Sequence, residues 1–528
     1  LSREGSHSRK RDNNGSMEEV EIHIQYDDNN YYGIVVKTTH NNINRRSHID
    51  NPTHTQFHTQ QHTQKIFIVM TLYFKKGSPN TIISNDELKS IFKSVLTKLG
   101  KKSKVMLIPP DYTRYHSNAG ILSQAAYEHF GDAVKDVMPA LGTHVPVSED
   151  QRKKMFGKIP KSLFRVHDWR NDVVTIGHVS GDMVKAASNG RLSDPWPAQL
   201  NKLVWKGGHD LVLSLGQVVP HEVLGMANHS KNLFVGVGGA DAINFSHFIG
   251  AVYGMERMMG VADNPLRRIF NTAAKQFLKD LPIVYALTVV GRDEKSGDLV
   301  TRGLFIGSGE ECFYEAAKLS MEVNFTMVER PIKKCVVYLD PEEYHTTWLG
   351  NKSIYRTRMA IEDGGELVVL APGVHRFGED DKIDELIRKY GYRTTPEILD
   401  LLEKNTDMMK NLSAVAHLIH GSTENRFNVK WCAKGLTRKE IEGVGYDYEE
   451  YSTMSKKYDV NKLKEGWNVT DSGEKVFFIR NPAVGLWATR DRFSSPSTSK
   501  KKRKSVVDEK NSTSTTTTTS KQRRLEKE

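Results

Sequence analysis

The sequence predicts an α/β protein built from two α/β domains with largely parallel sheets. Short runs rich in Val, Ile and Leu are typical of buried parallel strands, and most of them end at Gly or Pro. These runs are KVMLIPP, DLVLSLG, LPIVYALTVVG, KKCVVYLD and GELVVLAPG. Segments with helical spacing of apolar residues alternate with them and end at Gly, a common helix C-cap. Examples are NDELKSIFKSVLTKLG and DKIDELIRKYG.

The chain is predicted to consist of four segments. Residues 1–69 are a disordered or artefactual leader, because a composition rich in Asn, Gln, Thr and His buries too little apolar surface to offset the entropy of ordering. One short strand is predicted there, at EVEIHIQY, and Met70 is the expected natural start. Residues 70–285 form an N-terminal catalytic α/β domain, residues 286–493 a second α/β domain, and residues 494–528 a disordered basic tail.

The formal charge of +11 is concentrated at the C-terminus. Residues 500–528 contain ten basic and four acidic residues, whereas residues 1–69 contain eight of each sign. The remaining body is therefore close to neutral, and no nucleic-acid-binding groove is indicated. KKKRK at Lys500 to Lys504 is typical of a nuclear import signal, with a solubilising tail as the alternative.

No apolar run reaches the roughly 20 residues needed to span a membrane. The three cysteines, Cys312, Cys335 and Cys432, are far apart, which argues against a disulfide framework and a structural zinc site. We expect a cytoplasmic protein without membrane contact, with a nuclear location as the alternative.

The first candidate site follows the strand KVMLIPP. Asp111, Thr113 and Arg114 stand at its carboxyl end, where open α/β sheets bind ligands. The guanidinium of Arg114 suits a carboxylate or a phosphate. The alternative is that Asp111 caps the next helix and Arg114 lies on the surface.

A second candidate is His144 in ALGTHVPVSED, on a Gly/Pro loop before a helix that Ser148 is expected to cap. An imidazole on such a loop suits proton transfer near neutral pH. A structural role is the alternative, and we expect one for His167 in FRVHDWRND.

The densest candidate is the stretch from Val218 to His247, where a strand is followed by His221, Lys231 and a glycine-rich segment. It matches neither a phosphate loop nor a dinucleotide fingerprint, and Gly225 stands where H-E-x-x-H needs its second histidine. Two imidazoles and an amine in one neighbourhood indicate a metal or covalent-cofactor site.

These motifs, in this order and spacing, resemble the nickel-dependent lactate racemase family. They are D-x-T-R at Asp111 to Arg114, G-T-H-x-P at Gly142 to Pro146, P-H-x-x-x-G ending at Gly225, Lys231 and His247. The resemblance extends from about residue 72 to about residue 488. It implies an active site in the cleft between the two domains.

The resemblance also implies a cofactor, nickel held by a pyridinium-3,5-dithiocarboxylate-type mononucleotide (the nickel-pincer nucleotide). Lys231 would be its covalent anchor and His247 the nickel ligand, with Ser246 or a backbone carbonyl orienting the imidazole. His144 and His221 would be paired proton-transfer groups while a hydride moves reversibly between the substrate Cα and the cofactor. The glycines would leave room for the flat cofactor.

Further roles follow from the same resemblance. Arg114 would bind the substrate carboxylate or the cofactor, with Asp111 orienting it. Tyr314 and Lys318, one helical turn apart in the second domain, would reach across the cleft to the cofactor, and Lys318 also to the substrate. Tyr115 and Glu315 depart from the residues usual in the family, which indicates a substrate other than lactate.

We therefore predict an isomerase, a racemase or epimerase of a 2-hydroxy acid such as lactate or a larger sugar acid. Its expected partners are that small molecule and the proteins that synthesise the cofactor. One alternative is an oxidoreductase or hydrolase using the same histidines with ordinary nickel or zinc. Another is a non-catalytic binding protein on the same fold.

Overall fold

The computed structural model of the chain describes residues 71–293 and 296–493, together with four strands nearer the N-terminus. These strands form a sequential antiparallel sheet from Ser6–Arg11, Met17–Tyr26, Tyr32–Asn41 and Thr59–Ile68. The strand predicted at EVEIHIQY lies within the second of them, in the segment whose composition predicts disorder. The tail 494–528, with Lys500 to Lys504, lies outside the described residues.

A six-stranded sheet forms the centre of the first α/β unit. In spatial order its strands are Leu72–Gly77, Leu299–Gly307, Ile283–Arg292, Leu211–Gln217, Val105–Ile108 and Val134–Val137. The last four are parallel to one another, whereas the first two are antiparallel additions at one edge. Buried parallel strands are covered on both faces, which explains their continuous apolar sequences.

Helices cover both faces of this sheet. They are Asn85–Lys98, Ala119–Phe130, Glu149–Phe156, Gly181–Ala187, Lys202–Lys206, Ala240–Tyr253, Met255–Met258, Pro265–Phe277 and Glu311–Asn324. The predicted cap at Ser148 is confirmed, since its hydroxyl accepts from the backbone N–H of Gln151 in a capping box. Two hairpins complete the unit, formed by Val173–Val179 with Trp196–Asn201 and by Pro220–His221 with Gly225–Met226.

The second α/β unit is built on another six-stranded sheet. Its spatial order is Asp447–Tyr448, Asn428–Ala433, Ile361–Ala371, Ile332–Tyr338, Lys475–Ile479 and Gly466–Val469. Every neighbouring pair is parallel except the last. A short parallel pair is formed by Thr326–Met327 and Trp487–Ala488. The predicted α/β class with largely parallel sheets is therefore confirmed.

The helices of the second unit are shorter on average. They are Thr347–Gly350, Lys352–Thr357, Asp381–Tyr390, Thr395–Lys404, Thr406–Met409, Leu412–Gly421, Arg438–Gly443, Tyr451–Lys457 and Arg490–Phe493. DKIDELIRKYG forms the predicted helix, which ends at Gly391 with a φ of 67°. None of the helices in the described residues is both long enough and apolar enough to cross a membrane. All three cysteines are free and buried.

The boundary between the two units differs from the predicted cut at residue 285. That position lies inside the strand Ile283–Arg292, which pairs with Leu211–Gln217 and returns through Leu299–Gly307. Phe313, Ala317 and their neighbours on the next helix pack into the same core. The apolar run LPIVYALTVVG therefore completes the first sheet, and the first unit continues through Asn324.

One helix connects the cores of the two units. Ala240–Tyr253 packs on the first unit and also against the helix Leu412–Gly421 of the second. Phe248 and Val252 belong to the core of the second unit, whereas Ile249 belongs to the core of the first. The position of this helix is thus determined from both sides, which matters because it carries His247.

Candidate active site

Three loops of the candidate site leave the same edge of the first sheet. Val105–Ile108 is followed by Asp111, Val134–Val137 by the loop with His144, and Leu211–Gln217 by the hairpin with His221. These strands belong to one parallel array, so their carboxyl ends lie at one edge. Residues far apart in sequence are therefore brought together by the order of the strands.

Asp111 and His144 form a hydrogen-bonded pair. Asp111 is buried, and its Oδ1 accepts from the backbone N–H of Thr113 at 3.1 Å. Its Oδ2 lies 2.5 Å from Nδ1 of His144, whose side chain is 59% exposed. Burial alone would raise the pKa of Asp111, but the bond to His144 and the nearby positive charges outweigh it and lower the pKa. An ionised carboxylate only accepts, so Nδ1 of His144 carries the proton and Nε2 has a free lone pair.

Arg114 lies one short helical turn beyond Asp111, in Tyr112–Ser117. Its side chain is exposed, yet partial desolvation by nearby protein atoms lowers its pKa. The charge of Arg356 lowers that pKa further, whereas Glu222 and Asp111 raise it. Both parts of the structural alternative are thus observed, since Asp111 caps this turn and Arg114 is exposed. The binding role of Arg114 stays a prediction.

His221 is part of the tight hairpin Pro220–His221 with Gly225–Met226. The backbone N–H of Val223 donates to its Nδ1 at 3.2 Å, so neutral His221 carries its proton on Nε2. Burial lowers its pKa well below the usual value, and the charge of Lys231 contributes in the same direction. His221 is therefore neutral at pH 7 while that ammonium is present.

Lys231 follows two residues with left-handed backbones, Asn228 at φ 68° and His229 at φ 58°. Arg267 supports this turn, because its Nη2 donates to the carbonyl of Met226 and its Nη1 to that of Asn228 at 3.1 Å. Burial and neighbouring cations lower the pKa of Lys231 to about 8. The amine is thus held on a constrained turn and is more readily deprotonated than an exposed lysine.

His247 lies in the middle of the helix Ala240–Tyr253. Its Nδ1 lies 2.7 Å from the carbonyl oxygen of Ile243, one turn back, and 3.4 Å from Oγ of Ser246. The carbonyl fixes the proton on Nδ1, so Nε2 is available as a nitrogen ligand. Burial lowers the pKa of His247 to about 4, with a further contribution from Lys231.

These residues are close enough to influence one another electrostatically. The charges of Lys231, His247 and Arg114 all act on His221, and that of His144 acts on His247. The structure thus brings together the loop residues that the sequence singles out. No group of three or more His, Cys, Asp or Glu side chains that could hold a metal ion occurs among the described residues.

Tyr314 and Lys318 lie elsewhere than predicted. Their helix, Glu311–Asn324, packs on the first sheet, so they do not extend from the second unit. The hydroxyl of Tyr314 accepts from Asn271 at 3.5 Å, and Asn271 in turn accepts from Ser230, next to Lys231. Lys318 is exposed. Tyr314 is therefore connected to the lysine turn through two polar side chains.

Tyr115 and Glu315 are the two residues that depart from the family pattern. The contacts that the structure describes for them do not involve His144, His221 or His247. Tyr115 packs against Tyr112, with Lys154 over its ring. Glu315 lies 3.7 Å from Lys75 at the surface. Neither contact bears on the choice of substrate.

The glycines also have another role than predicted. A Cβ on Gly225 would lie 2.1 Å from the carbonyl oxygen of Val261, and one on Gly238 would lie 1.9 Å from that of Phe234. These glycines allow close packing of protein against protein, so they do not provide open space for a cofactor.

Two other histidines are structural. His167 is buried between the carbonyl of Gly238 and the side chain of Asn201, as expected. His229 is buried with its ring 4.0 Å from that of Tyr285, and burial lowers its pKa to about 3.

Sequence reasoning missed three charged residues of the site. Glu222 follows His221, and its Oε2 lies 3.3 Å from Nη2 of Arg356 in the second unit. Lys352, one turn before Arg356, is close enough for its pKa to be influenced by Glu222 and Arg114. The i, i+4 spacing in KSIYR is the only signal in the sequence, and it is common to many surface helices.

Comparisons with known proteins concern the fold and the N-terminal domain of the chain. Residues 53–259 match the family model of the lactate racemase N-terminal domain. No curated protein matches the chain. A protein from Thermotoga maritima is 21% identical with a TM-score of 0.64, covering 77% of this chain and 98% of its own. The lactate racemase apoprotein from Thermoanaerobacterium thermosaccharolyticum is 16% identical with a TM-score of 0.58, covering 80% and 97%.

The similarity to the two structures concerns the fold, whereas the domain match concerns the family. Together they confirm the family resemblance that the motifs indicate. The chain thus has the fold of the lactate racemase apoprotein, and its residues 53–259 match the lactate racemase N-terminal domain.

Proposed function

We propose that the protein is an isomerase that inverts the α-carbon of a 2-hydroxy acid with a nickel-pincer nucleotide as cofactor. The observation that carries this proposal is the convergence of His144, His221, Lys231 and His247 at one edge of the first sheet. An amine, a nitrogen ligand and two further imidazoles are the groups that anchoring, metal binding and proton transfer require.

The residues fit such a cofactor. His247 offers one free nitrogen, and no cluster of three or more protein ligands accompanies it in the described part of the chain. A metal held here would need donor atoms from a non-protein group, as a pincer cofactor provides. A lysine with a pKa of about 8 is neutral in roughly one molecule in ten at pH 7, far more than an exposed lysine, which suits covalent attachment. We therefore assign Lys231 as the anchor and His247 as the nickel ligand, with the cofactor supplied by its own biosynthetic proteins.

When bound, the cofactor would supply the acceptor for the Cα hydride, so the substrate would pass through a planar 2-keto acid accessible on both faces. The protein must then take the hydroxyl proton and return it. Neutral His144 has its lone pair on Nε2, which suits a base, and Asp111 would stabilise the charge it acquires. Neutral His221 has Nε2–H, which suits a donor to the substrate oxygen.

Attachment of the cofactor would also change His221. Acylation converts the ammonium of Lys231 into an uncharged nitrogen, removing a charge that lowers the pKa of His221. The pKa of His221 would rise by the part due to this charge, while burial, the larger cause, continues to lower it. Two histidines that exchange the roles of acid and base suit a reversible reaction. Arg114 would bind the substrate carboxylate.

The proposal is tested with protein co-expressed with cofactor-biosynthesis enzymes. Intact-mass and peptide mass spectrometry should detect a nucleotide-sized adduct on Lys231 together with bound nickel. Inversion of a substrate carrying deuterium at Cα should retain the label, since the hydride does not exchange with water. Unmodified Lys231 without nickel, or extensive loss of deuterium to water, would contradict the proposal.

A further inference from the structure

One outer strand of the second sheet has a free edge. Gly466–Val469 pairs with Lys475–Ile479 in an antiparallel hairpin, and with no other strand of the described residues. In such an edge strand the backbone N–H and C=O groups of every second residue point away from the sheet. This edge can therefore exchange hydrogen bonds with a further strand.

Apolar side chains are exposed along this strand. Trp467 is 38% exposed and Val469 is 65% exposed. Trp467 stands opposite Phe477, with the two ring centres 5.3 Å apart, and Val469 stands opposite Lys475. Residues two apart in a strand point to the same face, so the indole and the valine side chain lie on one face of the hairpin. Edge strands usually carry charged residues or proline at exposed positions to prevent pairing, whereas these two residues leave the edge open to a partner.

A groove of about 440 Å³ opens beside these side chains. Its aromatic and charged lining consists of an indole, one carboxylate and four basic side chains, which are Trp467, Glu474, Arg330, Lys333, Lys334 and Lys475. The guanidinium of Arg330 lies 4.4 Å from the centre of the Trp467 ring. The groove thus presents apolar and basic groups together.

Three of these cations have no ionic partner in the described part of the chain. Arg330, Lys333 and Lys475 are exposed, and no carboxylate of residues 71–293 and 296–493 lies within 4.0 Å of their charged groups. Glu474, the one carboxylate in the described lining, is already bound by Lys334 at 2.5 Å and by Lys457 at 3.0 Å. The groove therefore has an excess of positive charge beside exposed apolar surface.

We infer that this edge binds an acidic extended segment of another protein, which pairs with Gly466–Val469 as an additional strand. The backbone of the segment would use the free edge, which provides affinity without requiring one particular sequence. Its apolar side chains would cover Trp467 and Val469, and its carboxylates would neutralise the three cations. The excess of positive charge is what specifies an acidic partner.

A second copy of this chain does not suit the edge. Pairing of two copies through this strand would bring one basic groove against the other, and like charges placed opposite one another destabilise a strand pair. The inference is also independent of the proposed function, because none of the residues proposed for catalysis lines the groove.

The test uses the full chain and a fluorescein-labelled peptide in which Glu and Val alternate. Fluorescence anisotropy measures the dissociation constant of the peptide. We expect Trp467→Thr to weaken binding by about tenfold, because it removes the apolar contact and keeps a residue that favours strands. The double variant Lys333→Glu with Lys475→Glu should weaken binding by about 10- to 100-fold. Thermal unfolding of each variant shows that it is folded.

A charge-matched control is needed because residues 500–528 contain ten basic residues, which attract any acidic peptide. The double variant Lys382→Glu with Lys439→Glu makes the same change of charge at exposed positions of the same unit. It should weaken binding by less than about twofold. Equal losses in the two double variants, or no binding of the peptide by the wild type, would overturn the inference.

Two further measurements identify the binding mode. Hydrogen–deuterium exchange of the backbone of Gly466–Val469 should slow when the peptide is bound, and unchanged exchange would overturn strand addition. A basic groove with an exposed indole also suits single-stranded nucleic acid. A labelled oligodeoxythymidylate that binds more tightly than the peptide, and that loses binding in Trp467→Thr, would therefore overturn an acidic peptide as the partner.

Discussion

His144 donates its Nδ1 proton to Oδ2 of Asp111 across 2.5 Å, and this bond decides which ring nitrogen of His144 can act as a base. The other histidine of the pair has the opposite arrangement, since Nδ1 of His221 accepts from the backbone. Two imidazoles with opposite tautomers are thus held in one site. The predictions below follow from this asymmetry and from the charges around it.

Asp111→Asn should lower kcat by about 10²- to 10⁴-fold while changing KM much less. The amide has no charge to stabilise the imidazolium of His144 and no longer dictates its tautomer. Steady-state kinetics on nickel-loaded enzyme measure the effect, with thermal unfolding as the control for folding. A kcat equal to that of the wild type would remove Asp111 from the mechanism.

His144→Ala and His221→Ala should each lower racemisation by about 10²- to 10⁴-fold. The two variants should differ in single turnovers, because His221→Ala retains the Nε2 base of His144, whereas His144→Ala retains only the Nε2–H donor of His221. Acid-quenched reactions started from the separate enantiomers would reveal this as 2-keto acid formed from one enantiomer only. His116→Ala, which changes an exposed histidine of the turn Tyr112–Ser117, is the matched control. Equal losses for both enantiomers in both variants would contradict opposite-face roles.

Lys231→Met should stabilise the apoprotein by about 2 kcal/mol, because it removes an enclosed cation. The pKa of Lys231 is lowered to about 8 in the folded state, below its usual value of 10.5. Between about pH 8 and pH 10.5, Lys231 binds more protons in the unfolded chain than in the folded one. The free energy of unfolding therefore rises with pH over this range, and below about pH 8 Lys231 destabilises the folded protein. Urea unfolding of both proteins at pH 7 and pH 10 measures this. The difference in free energy of unfolding between Lys231→Met and the wild type should be smaller at pH 10 than at pH 7.

Acylation of Lys231 in the apoprotein should increase about tenfold per pH unit below pH 8 and level off above it. Brief labelling with acetic anhydride, followed by peptide mass spectrometry, measures the modified fraction. In the variant Arg267→Met, acylation of Lys231 should level off at a higher pH, because the charge of Arg267 contributes to the lowered pKa of Lys231. A profile that does not change in this variant would show that Arg267 acts only on the backbone of the turn.

Glu222→Gln should destabilise the protein by about 3 to 5 kcal/mol, because Arg356 would then be a buried cation without a counterion. The double variant Glu222→Gln with Arg356→Met should recover much of this loss. Denaturant unfolding of the two single variants and the double variant provides the coupling energy. Additive losses would mean that the pair does not stabilise the contact between the units.

Local sequence patterns predicted the secondary structure well where a helix carried its own end signals. Glu149–Phe156 begins at the predicted cap residue Ser148, and Asp381–Tyr390 ends at Gly391, both as expected. The domain boundary was less predictable. The sequence of Ile283–Arg292 identifies a buried strand but not the sheet to which it belongs, because pairing depends on residues some seventy positions away.

The sequence by itself determined the α/β class and the chemistry available, since His144, His221, Lys231 and His247 stand in a recognisable order. Only the tertiary structure decided the tautomers of the histidines and the unit to which Lys318 belongs. It alone placed Arg356 beside Glu222, more than 120 positions earlier in the chain. The physical reason is that charge and hydrogen-bond partners act through space, whereas local patterns report only neighbours along the chain.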